Sequence, residues 1–207
     1  MEFPTTVKEA MSPAHSPTLA EVYRLSVDLL RERPDAVLFG SHAVNLYVEP
    51  PRATADVDFM STNAESFADE LRARLAEQFH AAVRVRTVAR GNGFRVYQVR
   101  RPPEPNRHLV DVRQVDDLPS ARDVGGIRVV APADLVVLKL ASFVARRHTD
   151  KGISDRLDLH RMLLAFPKFR LPSSAVEAKL RDAPPNIQEA WEEILSEPIE
   201  RADDDEY

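Results

Sequence analysis

The sequence predicts an α/β fold of the α+β kind: a small mixed β-sheet core with helices on it, followed by a C-terminal helical region. Three observations predict it. Up to about residue 130, short apolar or alternating runs interleave with stretches of helical period. From Pro132 onward the pattern is helical. A hydrophobic content of 43% over 207 residues suits one globular domain with a core of its own.

The elements follow in order. Residues 1–17 are rich in Pro, Ser and Thr and read as a flexible arm. SPTLAEVYRLSVDLLRER offers Ser16 or Thr18 as an N-cap, with Leu19, Val22, Leu25 and Leu29 at helical spacing. Pro34 and Asp35 break that helix, and AVLFG is a short apolar run, a buried strand stopping at Gly40. SHAVNLYV opens a helix that Pro50 and Pro51 prevent from continuing. TADVDFM alternates as a strand does, and SFADELRARLAEQF returns to helical period with Ser66 as its cap. AAVRVRTV and FRVYQVRR alternate around ARGNG, a hairpin signal, and HLVDVRQV is one further strand. Pro132 suits the first turn of the next helix, where its missing N–H costs nothing. A helix over roughly 154–166 and two shorter ones after Pro172 and Pro185 complete the chain, and residues 200–207 form an acidic tail. The expected division is therefore an arm (1–17), a catalytic-type core (18–130), a helical region (131–199) and the tail.

Composition narrows the function. With no Cys there is neither a disulfide framework nor a Cys-based zinc site, and the six His show no paired ligand spacing. A net charge of −5 argues against a generic nucleic-acid binder. The start MEFPTTVKEA lacks the basic and apolar regions of a signal peptide, and no apolar run approaches the roughly 20 residues of a membrane span. The expectation is a cytoplasmic protein with no membrane partner.

Chemistry concentrates between Leu38 and Met60. On a strand, residues two apart project to one face roughly 6.6 Å apart, so Asp56 and Asp58 point together while Val57 and Phe59 face the other way. Two carboxylates so placed repel, and a divalent cation, or a pair of them, removes the conflict. The alternative is that both simply face water. Nearby residues favour the cation: Gly40 and Ser41 end a strand and start a helix, a geometry that cradles phosphate. Arg52 and Thr54 add a guanidinium fork and a hydroxyl. A third carboxylate, Asp111, sits on the face of its strand opposite Val110 and Val112. If that strand lies beside the one carrying Asp56 and Asp58, three acids converge as two-metal phosphoryl-type transfer requires.

The pattern Gly40-Ser41, fourteen residues, Asp56-x-Asp58 and a later strand Asp resembles the nucleotidyltransferases of the DNA polymerase β superfamily. With Arg52-x-Thr54-x-Asp56-x-Asp58-Phe59, DLVVLKLASFVARR and Asp155-x-x-Asp158-Leu159, it is more similar to the AbiEii-like toxin nucleotidyltransferases and their bacterial relatives. The resemblance covers roughly residues 35–165. One departure stands out: those relatives usually carry a Lys directly before the first Asp of the later motif, where this chain has Ser154, its nearest Lys being Lys151.

The resemblance implies that Asp56, Asp58 and Asp111 hold two magnesium ions against a nucleoside triphosphate, whose phosphates Gly40 and Ser41 grip. A nucleoside monophosphate would pass to an acceptor hydroxyl on RNA, protein or a small molecule, and an antitoxin partner would accompany a toxin. The alternative is a non-catalytic protein of this fold that binds a nucleotide or a protein. Lys139 is a phosphate partner or a Lys snorkelling from a buried helix face. Asp155 and Asp158 support the site directly or by orienting Arg52 or Lys139. His42 at most lines the pocket, since the hydrolase elbow needs Gly-x-Ser-x-Gly. Arg84, Arg86, Arg95 and Arg100 form either a nucleic-acid stripe or the solvated face of a half-buried hairpin.

Overall fold

The computed structural model describes residues 16–88 and 91–200; the arm before Ser16, two residues of the ARGNG loop and the acidic tail beyond Glu200 lie outside them. Among the described residues, seven α-helices, a short 3-10 helix and one seven-stranded sheet make up the fold. Helix α1 (Leu19–Arg31) begins at Thr18, whose hydroxyl accepts from the Glu21 amide while Glu21 reaches back to the Thr18 amide, a capping box. Thr18, not Ser16, is the cap.

Strand β1 (Ala36–Phe39) is buried throughout, as a central strand should be, and runs straight into α2 (Gly40–Asn45). Then come β2 (Val57–Ser61), α3 (Ala64–Phe79), β3 (Val83–Val88), β4 (Gly93–Gln98) and β5 (Arg107–Gln114). The expected cap at Ser66 is not where α3 starts. The helix begins earlier, and the Ala64 amide donates to Gln114 Oε1 from β5 at 2.9 Å, a tertiary cap invisible in the local sequence.

Two strands follow that the sequence reading passed over: β6 (Ala121–Val124) and β7 (Ile127–Val130). Gly125 and Gly126, both at positive φ, form the two-residue turn between them, the conformation a tight hairpin demands. The sheet order is β3-β4-β5-β2-β1-β7-β6. β2 pairs parallel with β5 and antiparallel with β1, and β1 pairs parallel with β7. The sheet is therefore mixed, and β2 and β5 are neighbours at its centre.

Val57 and Phe59 turn to the α3 side of β2, where the Phe59 and Phe67 rings meet edge to face at 5.2 Å; both are fully buried. Asp58 consequently faces the other side. That side receives α4 (Pro132–Arg146) and α5 (Asp150–Ala165), followed by a short 3-10 helix (Pro167–Arg170), α6 (Ala175–Leu180) and α7 (Pro185–Ser196). α5 starts four residues before the expected 154, because the Thr149 hydroxyl accepts from the Gly152 amide as its cap. Gly152 is also where α5 meets the end of α4: a Cβ there would lie 2.2 Å from the Arg146 carbonyl oxygen. That close approach sets Asp155 and Asp158 opposite Lys139 of α4. Among the described residues no helix is long and apolar enough to cross a membrane.

Candidate active site

Asp58 and Asp111 are partners across the parallel β2/β5 pair, so their side chains share one face of the sheet. Asp56 lies just before β2 on the same side. With Gly40, Ser41 and Lys139 they line one cleft of about 350 Å³. The convergence of three acids expected from the strand pattern is thus present.

The sequence reading missed the residue that sits among them. His108 Nδ1 is 3.1 Å from Asp56 Oδ2, and its Nε2 is 3.1 Å from Asp111 Oδ1. His108 and Asp111 are three apart, which on a regular strand puts them on opposite faces. A β-bulge changes that. Val96 faces Val110 but Tyr97 faces His108, leaving Leu109 as an extra residue on β5. Leu109 and Val110 are accordingly both buried, and His108 turns to the Asp111 face. Arg95, on the neighbouring β4, donates to both oxygens of Asp111 at 3.0 and 3.3 Å. Arg95 therefore belongs to the site, while Arg84 and Arg86 are exposed.

These contacts separate the acids electrostatically. The His108 hydrogen bond and charge hold the Asp56 carboxyl below its usual range. Burial opposes ionisation of Asp111, but contact with His108 and Arg95 outweighs it and brings that carboxyl down as well. Asp58 has no such partner: burial, then the charges of Asp56 and Asp111, push it up to about 7. Burial alone would lower His108, yet its two carboxylate neighbours raise it to about 9, so the imidazolium stands between Asp56 and Asp111.

At the other end of the cleft, Ser41 is held by a buried charge network. Its hydroxyl donates to Asp158 Oδ2 at 3.1 Å and accepts from Arg52 Nη2 at 2.6 Å and Lys139 Nζ at 3.0 Å. Asp158, fully buried, takes a bidentate pair from Arg52 at 2.6 and 2.7 Å and the Lys139 ammonium at 2.7 Å. Asp155 takes Lys139 at 3.2 Å and Arg146 at 2.6 Å. The Lys139 ammonium thus points inward and does not snorkel to water; the residue is 6% exposed. Four cations, Arg52, Lys139, Arg146 and Arg161, face two carboxylates here, which leaves positive charge at this end. Asp158 lies beyond the first turns of α5, so paired cations and not the helix dipole hold it ionised.

Thr54 Oγ1 and His42 Nε2 are 2.6 Å apart, and the His42 ring stacks on Tyr23 at 4.5 Å. Burial takes His42 down to about 4, and it buttresses the Thr54 segment. Lys151 and Ser154 reach the cleft from the start of α5.

The donor set fits a divalent cation: one atom each from Asp56, His108 and Asp111 lie within 4.8 Å of one another. The His108 Nε2 atom is buried and 3.1 Å from Asp111 Oδ1 without an aligned hydrogen bond, and a cation ligated there would displace the ring proton.

No protein-family model matches the chain, and no curated protein matches it. Solved structures do. The Megavirus polyadenylate synthase matches over 74% of this chain with 16% identity and a TM-score of 0.55, the chain spanning 33% of that protein's length. JHP933 from Helicobacter pylori matches over 85% of this chain and 88% of its own, with 14% identity and a TM-score of 0.51. At these identities the likeness is one of fold alone, the mixed sheet and its helices matching the core of those structures.

Proposed function

We propose that the protein is a magnesium-dependent nucleotidyltransferase that moves a nucleoside monophosphate from a nucleoside triphosphate to an acceptor hydroxyl. The observation that carries the reading is the register of β2 against β5, which sets Asp58 beside Asp111 in the lining of a cleft that also holds Lys139 and Arg146. Carboxylates at one end and Ser41, Lys139 and Arg146 at the other suit the two ends of a metal-bound triphosphate.

In this reading Gly40 lets the backbone come close to the phosphates, and Ser41, fixed by Asp158, Arg52 and Lys139, contacts them without having to be ordered on binding. Asp56, Asp58 and Asp111, with His108 beside them, would hold the divalent cations, whose chemistry when bound is to neutralise the triphosphate and the charge that develops on the leaving group. Asp111 orients the acceptor hydroxyl. The acceptor hydroxyl gives up its proton toward Asp111, its oxygen bonds to the α-phosphorus, the bond to the bridging oxygen breaks, and pyrophosphate leaves. We place the protein in the cytoplasm, where nucleoside triphosphates are supplied. The finer reading, a toxin acting on RNA or protein with an antitoxin partner, rests on the motif resemblance alone.

One observation favours a second reading. His108 and Arg95 already compensate Asp56 and Asp111, so the fold would stay satisfied in a protein that binds nucleotide or a partner without transfer.

Thermal unfolding of the wild type and Asp56→Ala with each nucleoside triphosphate, with and without Mg2+, separates the two. A ligand at about 100 times its Kd adds roughly 2.7 kcal/mol. A magnesium-dependent shift selective for one nucleotide and lost in the variant, followed by labelling of an acceptor, supports transfer. Nucleotide binding indifferent to Mg2+ supports the second reading.

A further inference from the structure

The bulge at Leu109 brings an imidazole nitrogen into a cluster that the strand pattern alone would have made entirely carboxylate. Two nitrogen atoms of one ring stand at 3.1 Å from carboxylate oxygens on two different elements, Asp56 before β2 and Asp111 on β5. Its Nε2 is buried with no aligned hydrogen bond, although the imidazole as a whole is 25% exposed. One atom from each of the three residues lies within 4.8 Å of the other two, close enough for one cation to be shared among them once the side chains draw in.

We propose that His108 is a direct ligand of the divalent cation bound between Asp56 and Asp111, making this a mixed nitrogen and oxygen site that favours Mn2+ over Mg2+. The inference rests on the nucleotidyltransferase reading of the cleft and goes further by assigning the ligand set and the cation preference.

The chemistry runs as follows. Mg2+ prefers an octahedral shell of oxygen atoms and gives up its waters reluctantly, whereas Mn2+, larger and a first-row transition ion, exchanges a water for an imidazole nitrogen more readily. Asp56 and Asp111 supply hard oxygen donors on both sides of the ring. Asp111 is fixed by the parallel pairing of β5 with β2, and Asp56 immediately precedes the first paired residue of β2, Val57, so the His108 nitrogen enters a frame anchored by the sheet. Arg95 holds Asp111 from the opposite side and limits the positions its oxygens can adopt. Replacing His108 removes one ligand and its contacts with both carboxylates, while Arg95 still holds Asp111.

The test uses Mn2+ as the probe on the full chain, with and without a nucleoside triphosphate. Electron spin echo spectra of the Mn2+-loaded protein should carry a 14N modulation, which changes to the 15N frequency when the histidines are 15N-labelled and disappears in His108→Asn. In the same variant the Mn2+ affinity should fall at least about tenfold while the Mg2+ affinity changes little. His42→Gln, the other histidine near the cleft, should keep the modulation. Circular dichroism and thermal unfolding check that both variants fold, and the isotope substitution in the wild type stands independently of either. Mn2+ binding with no nitrogen modulation overturns the ligand assignment and leaves the nucleotidyltransferase reading intact. Absence of any Mn2+ or Mg2+ binding, with or without triphosphate, overturns both.

Discussion

A Cβ added to Gly40 would fall 2.2 Å from Asp58 Oδ2. Phe39 and Asp58 are register partners across β1 and β2, so the chain that leaves β1 must turn over the Asp58 carboxylate at once. Gly40 does so at φ +72°, where a side chain is disfavoured even without the clash.

Gly40→Ala should therefore cost more than the roughly 1–2 kcal/mol of the backbone conformation alone, because the carboxylate must also move. Urea unfolding measures the loss. Nucleotide-induced stabilisation should vanish in the same variant, since Ser41 moves with residue 40.

Asp58→Asn should stabilise the cation-free protein at high pH. The folded-state carboxyl sits near 7, above its ordinary 3.8, so its contribution is present at low pH and lost as pH rises from about 4 through 7. Asn, which never ionises, should raise stability on the order of 4 kcal/mol at pH 8 in EDTA, with little difference near pH 4. An excess of Mn2+ or Mg2+ should reverse the order by stabilising only the wild type. Thermal unfolding across that pH range, with and without the cation, checks both parts.

Asp158→Ala leaves Arg52 and Lys139 facing each other around Ser41 without their shared anion. Breaking a buried ion pair from one side costs roughly 3–5 kcal/mol. Asp155→Ala should cost less, because Arg146 is 40% exposed and can turn to water. Denaturant unfolding of the two variants tests the ranking.

His42 should titrate near pH 4 in the folded protein, below its ordinary 6.5. The folded state then binds fewer protons than the unfolded state between those values, so this contribution is whole above about 6.5 and lost as pH falls toward 4. The His42 ring resonances followed by NMR against pH give the midpoint directly. His42→Gln should remove that part of the acid-side slope, and an unchanged slope would sink the assignment.

Much of the fold was legible in the sequence because it rests on local signals. The alternation of TADVDFM and HLVDVRQ placed Asp58 and Asp111 on faces opposite their apolar neighbours, and the cap candidates Ser16 and Thr18 bracketed the start of α1. β6 and β7 were missed although Gly125-Gly126 announces their turn, since ARDV and IRVV are four-residue strands too short for periodicity to stand out. Ser66 was misread because the true partner of the α3 terminus, Gln114, lies fifty residues away.

By itself the sequence determined the acids, the glycine turn and the faces they would occupy, because strand alternation and glycine conformation are properties of consecutive residues. Only the tertiary structure decided what those acids would meet. The β2/β5 pairing set Asp58 beside Asp111, a one-residue bulge turned His108 between Asp56 and Asp111, and the packing of α5 on α4 buried Asp158 against Lys139 and Arg52. Each of these depends on segments far apart in the chain, and a bulge reverses the face of every residue beyond it, so no local pattern could have announced them.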